Sequence, residues 1–86
     1  MWSIEFDRRA FKSLSKLSSA NQERIRDFLD NRVLTAENPR SLGSALTGSL
    51  SGLWRYRVGD LRIVAKFYDD RLVILIVDVG NRREIY

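Results

Sequence analysis

Two alternating runs of apolar and polar residues, separated by a single Gly-Asp dipeptide, constrain this chain more than any other feature. Leu53-Trp54-Arg55-Tyr56-Arg57-Val58 precedes Gly59-Asp60, and Leu61-Arg62-Ile63-Val64-Ala65-Lys66-Phe67-Tyr68 follows it. A two-residue Gly-X loop between period-two runs predicts a β-hairpin with a type II′ turn. With residues 59 and 60 as the loop, Val58 faces Leu61, Arg57 faces Arg62, Tyr56 faces Ile63 and Trp54 faces Ala65. Trp54, Tyr56, Leu61, Ile63 and Phe67 then share an apolar face, while Arg55, Arg57, Arg62 and Lys66 share the other. Like charges directly opposite each other destabilise a sheet by a few tenths to about 1 kcal/mol. A bound anion such as phosphate removes that penalty, which sets the Arg57–Arg62 pair apart from ordinary solvated surface cations.

The rest of the chain supplies what such a hairpin packs against. Trp2-Ser3-Ile4-Glu5-Phe6 alternates as a strand with Trp2, Ile4 and Phe6 pointing inward. Asp7 can cap a helix carrying Ala10, Phe11, Leu14 and Leu17 on one face. Ser19 and Gln22 have capping-box spacing for a second helix, with Ile25, Phe28, Leu29 and Val33 as its apolar stripe. Residues 35–51, with Pro39, Gly43, Gly48 and several Ser and Thr, read as a long connection holding a short turn around Leu42–Leu46.

Three strands follow, at about 52–58, 61–68 and 71–79, the last two joined by Asp69-Asp70. That second turn places Leu72, Ile74 and Ile76 on the core face. It leaves Val73, Leu75 and Val77 beside Lys66, Val64 and Arg62, as a docking strip or as the floor of a groove. The expected fold is α+β, a single domain over residues 1–86. An N-terminal strand and a two-helix hairpin lead into a three-stranded antiparallel meander, forming one mainly antiparallel four-stranded sheet.

Composition narrows the chemistry. Fifteen Lys and Arg against eleven Asp and Glu give a formal charge of +4, which favours an anionic partner. Twelve of the fifteen cations are Arg, the side chain suited to bidentate phosphate contact. Without Cys or His, disulfides, thiolate chemistry, Ser-His-Asp triads and the usual zinc sites fall away, and no metal or cofactor is expected. Asp69-Asp70 reads as turn chemistry rather than a Mg²⁺ site. No signal peptide or membrane span is expected: the longest apolar run, Leu72 to Val77, is far below the ~20 residues a span needs, so a cytoplasmic protein is expected. What remains is a cluster of Arg55, Arg57, Arg62, Arg82 and Arg83 with Tyr86, able to stabilise a pentacoordinate phosphate without a metal. RNA supplies its own nucleophile in the 2′-hydroxyl. The proton acceptor is the weak point, because Arg stays charged and an unperturbed Tyr has a pKa of about 10.

The order strand, helix hairpin, long loop and meander resembles the RelE/ParE superfamily of type II toxin–antitoxin toxins, closest to the RelE-type mRNA interferases. Leu46-Thr47-Gly48, the run from Leu53 to Val64, and the ending Val79-Gly80-Asn81-Arg82-Arg83-Glu84-Ile85-Tyr86 carry the resemblance. It implies a RelE-like fold and a ribosome-dependent endoribonuclease that cuts mRNA in the ribosomal A site, against 16S rRNA, by metal-independent 2′-hydroxyl attack. It further implies a cognate RelB-like antitoxin, in a hetero-oligomeric complex that blocks the basic surface. By that resemblance Arg57, Arg62, Arg82 and Tyr86 are the catalytic residues, and Arg55, Lys66 and Arg83 bind RNA. Two departures stand out. Arg57 sits where some relatives have a lysine suggested as general base, and Asn81 where many have His or Lys. The competing readings are a ParE-like toxin acting on DNA gyrase and a non-catalytic RNA- or protein-binding module.

Overall fold

The computed structural model describes residues 1–81. Strand β1 (Ser3–Phe6) leads into helix α1 (Arg8–Ser15) and helix α2 (Ser19–Phe28), whose last turn widens into a π turn over Leu29–Val33. A 3-10 turn at Pro39–Leu42, the short strand β2 (Ser44–Ala45) and a second 3-10 turn at Gly48–Leu50 follow. Strands β3 (Trp54–Val58), β4 (Leu61–Tyr68) and β5 (Val73–Asn81) complete the order. The sheet has five strands in the order β1-β5-β4-β3-β2, with β1 parallel to β5 and every other pairing antiparallel. Expectation gave four strands. The fifth, β2, is two exposed residues long and carries no period-two signal, yet it pairs Ser44 with Arg55 and Ala45 with Trp54.

Both helices lie on one face of the sheet. Asp7 caps α1 by accepting the Ala10 N–H at 2.8 Å, as its position predicts. Ala10 and Leu14 are buried, but Phe11 is 60% exposed, because the eight-residue helix turns only its 10/14 stripe to the sheet. Helix α2 is capped by Ser18, whose Oγ accepts from the Asn21 N–H at 3.2 Å, and not by Ser19. Gln22 reaches back to donate to the Leu17 carbonyl at 2.9 Å. Ile25, Leu29 and Val33 are buried and Phe28 is half-buried, so the stripe continues through the π turn.

The core joins these side chains to Tyr56, Leu61, Ile63, Ala65, Ile74, Ile76 and Val79, with Trp2, Ile4 and Phe6 packed at its margin. At the transfer value of about 1.5–3 kcal/mol per large apolar side chain, this layer is the main stabilising element. Tyr56 is wholly buried and donates its hydroxyl to the Pro39 carbonyl at 2.6 Å, pinning the long connection against β3. Gly43 makes that approach possible, since a Cβ there would stand 2.9 Å from the Arg55 carbonyl oxygen and 3.1 Å from the Tyr56 ring.

The second turn departs from expectation. The connection between β4 and β5 is Asp69–Leu72, because Tyr68 pairs with Val73. Leu72 sits in this turn with φ +54 and is 38% exposed, so it is not a core residue. Lengthening the turn by two residues keeps the face parity, and Ile74 and Ile76 remain inward, opposite Phe67 and Ala65. A β-bulge then intervenes. Ala65 pairs with Ile76 but Val64 pairs with Asp78, leaving Val77 as the extra residue. In consequence Val79 enters the core opposite Ile63, and Arg62 lies opposite Gly80, not Val77.

Candidate functional site

The face of the sheet away from the helices carries the cations. Gly59 has φ +62, and Asp60 is not among the positive-φ residues, which is the type II′ geometry expected of Gly-Asp. That turn sets the register of the first hairpin, and Arg57 pairs with Arg62 and Val58 with Leu61. Beside a two-residue turn the second pair is of the closer, non-hydrogen-bonded kind, with Cα atoms about 4.5 Å apart. A Cβ on Gly59 would run into the Arg24 guanidinium, so α2 also braces the turn from the opposite side.

Cross-strand pairing extends this into two rows. One reads Ser44, Arg55, Val64, Asp78 across β2 to β5; the next reads Arg57, Arg62, Gly80 across β3 to β5. Arg57 is exposed, Arg55 is half-buried, and Arg62 is 7% exposed, the one buried charged side chain among the described residues. A guanidinium held in such low-dielectric surroundings acts on a neighbouring charge far more strongly than one in water. Gly80 places no side chain beside it. Arg55 and Arg57 line an open pocket of about 260 Å³ with Leu42, Gly43 and Ser44. The Arg55 Nε is buried with no hydrogen-bond partner among the described residues. Such a donor gains most from an arriving anion, because leaving it unpaired costs about 1–3 kcal/mol.

Other charges around the sheet are committed elsewhere. Asp78 accepts Ser13 Oγ at 3.4 Å and pairs with Arg9 at 3.1 Å. Arg40 forms a bidentate pair with Asp69 at 2.8 and 2.7 Å while lying over the Phe67 ring at 4.3 Å. The paired Arg40 holds the Asp69 carboxyl below its ordinary value, and the Arg40 pKa is raised by the same hydrogen bond. Burial pushes the Tyr56 hydroxyl up to about 12, so this phenol cannot accept a proton near neutrality.

The structure thus brings Arg55, Arg57 and Arg62 together and sets Lys66 farther along β4 on the same face. Arg82, Arg83 and Tyr86 lie outside the described residues. Sequence reasoning missed the pocket wall of Leu42, Gly43 and Ser44. The available signal was Gly43 beside a short polar segment, which marks a close backbone approach. Among the described residues no helix is long and apolar enough to cross a membrane.

Comparison with known proteins bears on this geometry. A chain of the Mycobacterium tuberculosis RelBE2 toxin–antitoxin complex superposes with a TM-score of 0.86 at 22% identity, covering 96% of this chain and 93% of that one. A chain of the intact Escherichia coli RelBE complex gives 0.73 at 22% identity, covering 94% and 96%. One from the archaeal RelE–RelB complex of Pyrococcus horikoshii OT3 gives 0.64 at 25% identity, covering 96% and 97%. Among curated protein sequences nothing matches the chain. Residues 4–86 match the family described as the ParE toxin of the type II toxin–antitoxin system, parDE. With the RelE-like fold and a match over almost its whole length, the chain belongs to the ParE toxin family, within the RelE/ParE superfamily of type II toxin–antitoxin toxins.

Proposed function

We propose that this toxin is a metal-independent endoribonuclease that cuts mRNA in the ribosomal A site and so inhibits translation. The observation that carries the reading is the Arg57–Arg62 pair, held side by side by the Gly59 turn next to the half-buried Arg55. Three guanidinium groups on adjacent rows suit a phosphate that gains charge in the transition state. In the reaction the RNA 2′-oxygen bonds to phosphorus, the 5′-oxygen leaves, and the products are a 2′,3′-cyclic phosphate and a 5′-hydroxyl. The 2′-hydroxyl proton goes to a base, and the 5′-oxygen takes one up. Arg57 and Arg62 neutralise the nonbridging oxygens; Arg82 stabilises the leaving group and Tyr86 orients the base, on the family resemblance alone. Arg55, Lys66 and Arg83 hold the RNA. The partner in regulation is a RelB-like antitoxin, of the kind present in the complexes of the similar toxins.

A second reading has its own support. The matched family is ParE, which favours a toxin of the same fold directed at DNA gyrase. Inducing the protein, mapping message 5′ ends and assaying DNA supercoiling in the same cells separates the two. Cleavage of translated mRNA is expected, with Arg62→Ala lowering it by about 10²–10³-fold, the usual loss of one preorganised oxyanion donor. Arg57 is exposed, so Arg57→Ala tests the same role without disturbing the core. Relaxed DNA with intact messages would move the assignment to gyrase.

A further inference from the structure

Beyond the three arginines, the same face of β4 runs from Arg62 and Val64, both buried, to the exposed Lys66. Residues 62, 64, 66 and 68 project to the same side, and from Arg62 to Tyr68 the strand spans about 20 Å at its usual rise. At the far end Lys66 Nζ lies 5.2 Å from the centre of the Tyr68 ring and the Arg71 guanidinium 4.4 Å from it. Tyr68 is half-buried, whereas Lys66 and Arg71 are exposed. Neither cation has a carboxylate partner among the described residues: Asp69, at the same turn, is taken by Arg40, and Asp78 by Arg9. Asp70 is the remaining acid of the turn and is exposed. Val73 and Leu75, half-buried, form an apolar floor alongside.

An aromatic ring flanked by two uncommitted cations, in line with an arginine cluster, is the arrangement that grips single-stranded nucleic acid. The cations track phosphates, and the ring and guanidinium planes offer stacking surfaces that tolerate any base. We propose that Lys66, Tyr68 and Arg71 form a second contact for single-stranded RNA, which holds the strand leaving the Arg57–Arg62 site along β4. The inference rests on the ribonuclease reading for the identity of the polymer. Continuity decides for RNA over an acidic protein segment. A strand anchored at Arg62 and running toward the second turn passes over the buried Val64 and meets this cluster on the same face of the same β-strand.

The test measures binding, not cleavage. The full chain is titrated against a fluorescein-labelled 12-nucleotide 2′-O-methyl RNA and against the corresponding trinucleotide, neither of which can be cut by 2′-hydroxyl attack. Arg71→Gln and Tyr68→Leu are each expected to weaken the 12-mer about five- to tenfold, the lower range for loss of a stacking contact, and to leave trinucleotide affinity in place. Arg71→Gln should also lower the slope of log affinity against log salt by about 0.7. Arg71 is exposed in a turn, so its variant folds even where Tyr68→Leu does not. The proposal is overturned by unchanged 12-mer affinity, or by an equal loss in Arg26→Gln, a charge control on α2. It is also overturned if both variants bind RNA normally but lose affinity for the antitoxin. Failure of the nuclease reading shows separately, as tight patch-dependent binding of the 12-mer with no cleavage of unmodified message.

Discussion

The two hairpins of the meander share β4 but are specified in different ways. The first turns in two residues at Gly59-Asp60, and every cross-strand partner from Trp54 to Val58 follows from that turn. The second turns in four residues, holds Leu72 at φ +54, and loses its register at a bulge between Val64 and Ala65. Glycine relieves backbone strain in the first turn. In the second the strain is retained, and the surroundings hold it: the Leu72 carbonyl accepts the Ser3 N–H at 2.9 Å, and Asp69 is gripped by Arg40. A turn written into local chemistry can thus set the geometry of a site, whereas a turn held from outside follows the rest of the fold.

The largest effect should come from breaking the first turn. Gly59→Val places a β-branched residue at positive φ and drives its side chain into Arg24, and is expected to cost about 2–3 kcal/mol. Urea denaturation reads the loss, and phosphate-analogue binding should fall with it, since the Arg57–Arg62 register depends on this turn. If stability falls but binding survives, the register is held by something other than Gly59.

The next effect sharpens the contribution of Tyr56, which ties β3 to the long connection. Its folded-state phenol lies above the ordinary 10.0, at about 12. The stability tied to it is therefore complete below pH 10 and drains away as pH climbs toward 12. Up to pH 11.5 this amounts to at most about 2 kcal/mol. Denaturation midpoints at pH 9 and 11.5 should diverge in the natural chain and diverge less in Tyr56→Phe, which has no phenol to ionise.

The smallest effect belongs to the second turn. Leu72→Asn puts a residue tolerant of the left-handed region at φ +54 and should raise stability by up to about 1 kcal/mol. A loss would mean that the half-exposed Leu72 side chain contributes more than its backbone strain costs.

The same contrast explains how much could be read from the residues alone. The first hairpin, the Asp7 cap, and the inward faces of β1 and α2 were legible because each is a local pattern. Strand β2 was not, since two exposed residues pair with β3 only through the close approach at Gly43 and the Tyr56 hydroxyl bond. The bulge was hidden for a related reason. Leu72 through Val77 is uniformly apolar, so period two cannot say which of its residues is the extra one. Phe11 was misassigned because i, i+1, i+4 spacing does not say how narrow the buried stripe of a short helix is. For the site, Arg55, Arg57 and Arg62 came together as alternation requires. The replacement of Val77 by Gly80 beside Arg62 needed the bulge.

The parallel pairing of β1 with β5 has a consequence for how the protein is made. Residues 3–6 are made about seventy residues before residues 73–76, their strand neighbour among the described residues. Until then the helices have a face to cover but no finished sheet to cover it with, and the closing contact is one of the most distant in the chain. Such long-range closure slows folding. The first hairpin needs no such closure, so Arg57 and Arg62 can meet across β3 and β4 before the sheet that seats them is complete.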